Sequence, residues 1–233
     1  MSAQPVTAFR SRSMTRNCFV LPLVCLCLGV HAQPVGVDEG LAAWWSFDEV
    51  QDELVTDRSG NGNDGRLVGG AELVPGIRGQ GLNCNGEDAH VVCTWDSMLN
   101  SPTALTVEAW IYPQGAHQNG YGGIINNLNG AGNCRLLINN AGVLLAQLHG
   151  SKSGVSGATI VADLWNHVAY TFDGREEVWY LNGERTHSAA YTDPLPSGSA
   201  KPTIGWGYGD SGFYHFRGLI DEARIHARAL TAQ

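Results

Sequence analysis

An all-β fold, antiparallel strands closed over one core, is what this chain of 233 residues predicts. Three observations carry the prediction. Thirty glycines are spread along the chain, enough for many tight turns. Helical periodicity is nearly absent, whereas runs with a period of two recur, rich in β-branched and aromatic residues. Short Gly-containing turns join several of these runs, as hairpins require.

In chain order the runs are LAAWWSF (41–47), LTVEAWIY (105–112), CRLLIN (134–139), VLLAQL (143–148), HVAYTF (167–172), EVWYLN (177–182) and HFRGLIDEARIH (215–226). Asn140-Ala141-Gly142 joins the third to the fourth, and Asp173-Gly174 joins the fifth to the sixth. Asn182-Gly183, before ERTH, is the strongest short hairpin signal in the chain. Consecutive hairpins mean antiparallel sheets, and closing that many strands over one core gives a sandwich or a barrel. No stretch between 41 and 230 is rich enough in Pro or Ser to divide it; DPLPSGSAKP (193–202) reads as a crossover between sheets. One domain over 41–233 is expected, after a short segment at 33–40.

The opening residues read differently. Arg10, Arg12 and Arg16 precede a thirteen-residue apolar run, CFVLPLVCLCLGV (18–30), which Val30-His31-Ala32 closes. That is the pattern of a secretory signal peptide over 1–32, with Met14 an alternative start. The apolar run is shorter than the ~20 residues a membrane span needs. A secreted, periplasmic or cell-surface product is therefore expected. Loss of the three Arg leaves eleven basic residues against twenty-two acidic ones. Such an acidic balance argues against nucleic acid or an anionic membrane as partner.

Cys84, Cys93 and Cys134 remain of six cysteines after cleavage at 32. Cys84 and Cys93 flank NGEDAHVV, which can turn back on itself, so a local disulfide and a set of buried thiols are both open. No CxxC pair is present, which argues against a thiolate metal site.

The stretch DRSGNGNDGRL (57–67) is the most polar between two apolar runs. Asp57, Ser59, Asn61 and Asn63 alternate with small residues, so their oxygens can converge as they do around Ca²⁺. The twelfth position, Val68, lacks the Glu of an EF-hand, and strands flank the loop. Taken alone, the stretch equally describes an Asx-rich turn that bonds its own backbone, with Asp64 toward solvent.

In order, WWSFDE, DRSGNGNDGRL, GQGLNCNGEDAHVV, LTVEAWIYP, WNHVAYTFDG, VWYLNGE and FRGLIDEARIHARAL resemble the laminin-G-like jelly-roll domains of bacterial secreted proteins, within the concanavalin A-like lectin and glucanase superfamily. The resemblance runs from about 41 to 230 and implies an antiparallel two-sheet jelly-roll sandwich. It implies further that Asp221, in the GLIDE motif, completes a structural calcium site with Asp57, Asn61 and Asn63. Cys84 and Cys93 stand where the family carries other core residues, which favours a Cys84–Cys93 disulfide. Glu222 of the same motif is placed to pair with Arg224.

Catalytic groups are missing. The E-x-D-x-x-E strand of the superfamily's glucanases is not in the sequence, nor is a G-x-S-x-G nucleophile motif or a zinc-binding helix pattern. DEVQDE (48–53) reads as a solvated turn, and His167 as a hydrogen-bonding residue at a strand start. Most of the seven Trp belong in the core. Tyr121 in HQNGYGG, and Trp206 and Tyr208 in GWGYGDSGFY, are flanked by glycines that cannot bury them, and flat rings beside Asn and Asp suit sugars. The expectation is a non-catalytic module for a glycan, with an extracellular protein or adhesion partner as the alternative and a divergent glycoside hydrolase behind both.

Overall fold

The structure is a computed structural model that describes residues 39–94, 103–126, 134–148, 152–191, 201–209 and 212–231. The chain divides into two units, Met1–Pro34, which lies outside the described residues, and Val35–Gln233. The expected signal peptide falls in the first, and the described residues all belong to the second.

In chain order the strands are β1 (Leu41–Trp45), β2 (Val50–Gln51), β3 (Leu54–Val55), β4 (Gly65–Val68), β5 (Glu72–Pro75), β6 (Gln80–Asn85), β7 (His90–Cys93), β8 (Leu105–Pro113), β9 (Tyr121–Asn126) and β10 (Arg135–Asn139). They continue with β11 (Val143–Leu148), β12 (Lys152–Thr159), β13 (Asn166–Phe172), β14 (Glu176–Leu181), β15 (Glu184–Ala190), β16 (Thr203–Ile204), β17 (Trp206–Gly209), β18 (Gly212–His215) and β19 (Arg217–His226). One sheet runs β15-β14-β13-β8-β19-β6-β5, with β1 also on β19; the other runs β12-β11-β10-β9-β16-β7-β4-β3-β2. β17 and β18 form a pair of their own. This is the two-sheet antiparallel sandwich that the sequence predicts.

Strand alternation makes the core. On β8, Val107, Ala109 and Ile111 join the apolar cluster, while Glu108 and Trp110 fall on the other face. Trp45, Leu82, Ile124, Leu136, Tyr170, Trp179, Phe216 and Ile220 complete its centre from both sheets. Among the described residues Trp45 and Trp179 are fully buried, whereas Trp44, Trp110, Trp165 and Trp206 are half-buried, so fewer of these indoles reach the core than expected.

The hairpins form where their turn residues stand. Asn182 and Gly183 have φ of 53° and 83°, the left-handed pair of a type I′ turn, and join β14 to β15. Gly142 closes β10 onto β11 at φ 76°. DEVQDE forms the exposed turn expected of it, with the short strands β2 and β3 paired across Asp52 and Glu53, at φ 49° and 67°.

The cysteine expectation is corrected. Cys84, Cys93 and Cys134 are buried free thiols. Cys84 lies on β6 of one sheet and Cys93 on β7 of the other, because the residues between them carry the chain across the sandwich. Each sulfur faces a different notch. Cys84 packs over Gly205, where an added Cβ would come within 2.5 Å of Sγ, and Cys93 Sγ lies 3.6 Å from the Cβ position of Gly65. Burial pushes all three thiols up, Cys134 to about 12.

Candidate functional site

Polar side chains gather in three places, and the first is the loop of residues 57–65. The Asp57 carboxylate is 5% exposed and accepts four hydrogen bonds. Oδ1 takes the amides of Trp44 and Ser59, both at 2.9 Å; Oδ2 takes Ser59 Oγ at 2.8 Å and the Asn63 amide at 2.9 Å. Asn61 Nδ2 donates to the carbonyls of Leu41 and Ala42, and Asn63 Nδ2 to that of Ala42. Asp64 accepts the Asp57 amide at 2.9 Å instead of facing solvent. The loop is thus sewn to β1.

Asp221 belongs to a different set. It is fully buried, with Oδ2 accepting the Arg78 amide at 3.0 Å and Oδ1 the Glu222 amide at 2.7 Å. Burial pushes its carboxyl up to about 6, and the charges of Glu222 and Asp48 add to that push. Among the described residues, no three His, Cys, Asp or Glu side chains stand together as a metal site. Calcium takes six to eight oxygens. Here the carboxylate oxygens of Asp57 and Asp221 are engaged by amides and a hydroxyl, and the Asn side chains turn their donors to carbonyls. The set Asp57, Asn61, Asn63 and Asp221 therefore does not fit a calcium ion.

The second place is the outer face of the sheet that holds β8. Glu108, 8% exposed, lies between His167 Nε2 at 3.5 Å and His226 Nε2 at 3.4 Å, with Arg224 Nη1 at 3.7 Å. Burial alone would raise its carboxyl, but hydrogen bonds from both imidazoles and their charges bring it well below the usual range. Arg224 also pairs with Glu222, as its place two residues away suggests, and stacks 4.7 Å from the Trp44 ring opposite Arg58 at 4.6 Å. A cleft of about 120 Å³ adjoins, lined by Thr106, Glu108, His167, Tyr180 and Leu230 among others. These charges neutralise one another across β8, β13 and β19, which accounts for the network as structure.

The third place holds the expected ligand-binding aromatics. Tyr121 and Trp206 begin strands β9 and β17, so the glycine-rich segments that predict loops are strands instead. The β17–β18 hairpin, with Trp206 opposite His215 and Tyr208 opposite Phe213, contacts β9. Gly123 permits the approach: a Cβ there would stand 2.5 Å from the Gly207 nitrogen. The Tyr121 ring meets Tyr214 at 5.1 Å. The side chain of Tyr208 lies outside the described residues.

Around Trp206 the hairpin assembles groups that the sequence reading passed over. The His90 ring is 5.2 Å from the indole at 32°, His215 is 6.4 Å from it, and the two imidazoles are 6.1 Å apart. His90 Nδ1 donates to the Asp88 carbonyl at 2.6 Å, which makes Nδ1 the protonated nitrogen, since a carbonyl only accepts. A hydrogen bond from Asn85, helped by the Gly70 amide and by the charges of His215 and His90, holds the Asp88 carboxyl below its ordinary value. Burial, with the charge of His90, pushes His215 down. The available signal was GEDAH, which reads only as an acid-rich turn until the hairpin is laid beside it.

The family model of the concanavalin A-like lectin/glucanases superfamily matches residues 85–233, well over half of the chain. The chain belongs to that superfamily. A search of curated protein sequences gave no match. Among solved structures, the binding domain of Paraclostridial Mosquitocidal Protein 1 superposes with a TM-score of 0.67 at 16% identity, over 84% of this chain and 50% of that one. Domain 4 of AbnA, a GH43 extracellular arabinanase from Geobacillus stearothermophilus, in complex with arabinotriose, gives 0.65 at 23% identity, over 82% and 94%. The binding domain of Botulinum neurotoxin DC in complex with rat synaptotagmin II gives 0.64 at 12%, over 84% and 50%. The chain spans about half the length of the two toxin binding domains and nearly all of the arabinanase domain. At these identities the superfamily likeness is one of fold.

Proposed function

We propose that this domain is a non-catalytic binding module for a glycan and that the ligand lies on the Trp206 hairpin. The observation that carries the reading is the half-buried Trp206 ring, held beside two imidazoles on a hairpin that lies across the sheet. A flat ring offers an apolar face to the C–H face of a sugar, and polar groups at its rim supply direction. The arabinanase domain, matched over nearly its full length, supports the reading because it is described in complex with arabinotriose. Glu108, the best-placed carboxylate on the opposite sheet, is committed to two His and an Arg, which speaks against a hydrolase. Export behind the signal peptide at 1–32 belongs to the same proposal.

Binding of the purified protein to a glycan array, repeated with Trp206→Ala, tests it. At least a tenfold loss in the variant is expected, and unchanged binding would remove the platform from the account. The second reading is a protein-interaction module. Val161 and Leu164 are 54% and 58% exposed on a turn that Asn166 Nδ2 holds by their carbonyls, at 2.9 and 2.7 Å, so an apolar tip is presented in fixed form. The neurotoxin domain in complex with synaptotagmin II is its counterpart among the similar folds. Glycan binding that is absent throughout favours this second reading.

A further inference from the structure

Resting on the glycan reading, we infer that Asp88 is the specificity-determining acceptor of the Trp206 site, and that its ligand is a neutral sugar ring presenting two adjacent hydroxyls. The carboxylate is exposed yet held in place. Its Oδ1 accepts Asn85 Nδ2 at 2.7 Å and the Gly70 amide at 3.2 Å, whereas Oδ2 accepts no hydrogen bond among the described residues. The backbone beneath it is fixed as well. Asn85 Oδ1 accepts the amides of Glu87, Asp88 and Ala89 at 2.8, 3.0 and 3.1 Å. On the other side the turn at Gly69, at φ +64°, packs so closely on the Asp88 carbonyl that no Cβ fits between them.

A fixed carboxylate with one uncommitted oxygen is an acceptor only, and it suits ligand O–H donors. Next to it His90 directs its Nδ1 proton to the Asp88 carbonyl, so Nε2 is the ring nitrogen left to face a ligand hydroxyl. The Trp206 ring lies 5.2 Å from His90 and supplies the apolar floor. A carboxylate oxygen and an imidazole nitrogen beside a flat ring match two neighbouring hydroxyls on a sugar whose face rests on the indole. The same carboxylate repels a uronate or sulfate placed at that edge, so the site selects against acidic sugars.

The test compares arabinotriose and other neutral trisaccharides with tri-galacturonate, by calorimetry and thermal melting, in wild type, Asp88→Asn and Trp206→Ala. Asp88→Asn should weaken the best neutral binder at least tenfold and raise uronate binding relative to it, with the melting midpoint unmoved. Trp206→Ala should abolish both. Asp88→Asn within twofold of wild type, with Trp206→Ala inactive, overturns the role of Asp88 and leaves the glycan site standing. Equal weakening of neutral and acidic probes in Asp88→Asn also overturns it, because a merely structural role would do that. Wild type that binds no trisaccharide removes the glycan reading and this inference together.

Discussion

Asp57 illustrates how residue types alone leave two chemistries open. Alternating Asp, Ser and Asn oxygens serve a cation or a set of amides equally well, and only the position of β1 decides between them. With Trp44, Ser59 and Asn63 donating to it, the carboxylate is a tie between the loop and the first strand. Hydrogen bonds to a charged group contribute about 1.5–3 kcal/mol each, and a buried donor left unpaired costs more. Asp57→Ala should therefore lower the melting midpoint by roughly 5–10 °C in a domain of this size. The drop should be equal in calcium and in chelator; a drop confined to calcium would restore the metal site. Asp221 acts in the opposite sense. Its folded carboxyl, pushed up to about 6 by burial, lies above its ordinary value of 3.8. The stability it contributes is then full below about pH 4 and is lost as pH rises through about 6. Asp221→Asn keeps an oxygen for the Arg78 amide and removes the charge. Its denaturation midpoint should decline less than wild type's between pH 4 and 7, and parallel profiles would sink the argument.

At the scale of elements, legibility follows turn chemistry and side-chain bulk. Asn182-Gly183 is visible in the sequence because both residues accept the left-handed geometry a two-residue hairpin demands. The hairpin at Asp52-Glu53 is hidden, since a Glu at φ 67° contradicts its own preference. WGYG and YGGIIN escape for a different reason. Their glycines are poor strand formers in isolation, and they are strands here because two backbones approach where a side chain would intrude. That dependence predicts the outcome at Gly123. Gly123→Ala places a methyl 2.5 Å from the Gly207 nitrogen, so the β17–β18 hairpin must lift from β9. Glycan affinity should fall at least fivefold while far-UV circular dichroism stays that of the sandwich. Full affinity in this variant would mean that the hairpin's seat does not set the site.

For the molecule as a whole, the period-two runs and their turns predict antiparallel sheets, and the order of seven short motifs, through the resemblance it carries, implies the jelly-roll sandwich. Pairings across the sandwich were not legible. Cys84 and Cys93, close in sequence, belong to different sheets, and only the crossing from β6 to β7 reveals it. The imidazoles beside Trp206 were hidden for a related reason, since His90 meets Trp206 and His215 only after the hairpin is placed. Thiol titration checks the cross-sheet arrangement. Exported protein should yield three reactive thiols per chain in denaturant and almost none when native, whereas one thiol in denaturant would re-establish the bridge.

The position of β19 carries a consequence for how this chain comes into being. The last strand among the described residues is not an edge but a centre: it pairs with β8, β6 and β1. A nascent chain halted before Arg217 has two halves of a sheet with a vacant row between them. Such a topology delays closure until synthesis has passed the final strand, and the incomplete chain presents unpaired edges while it waits. Closure of this sheet is thereby deferred until residues 217–226 are free to pair, whatever the rest of the chain has already formed.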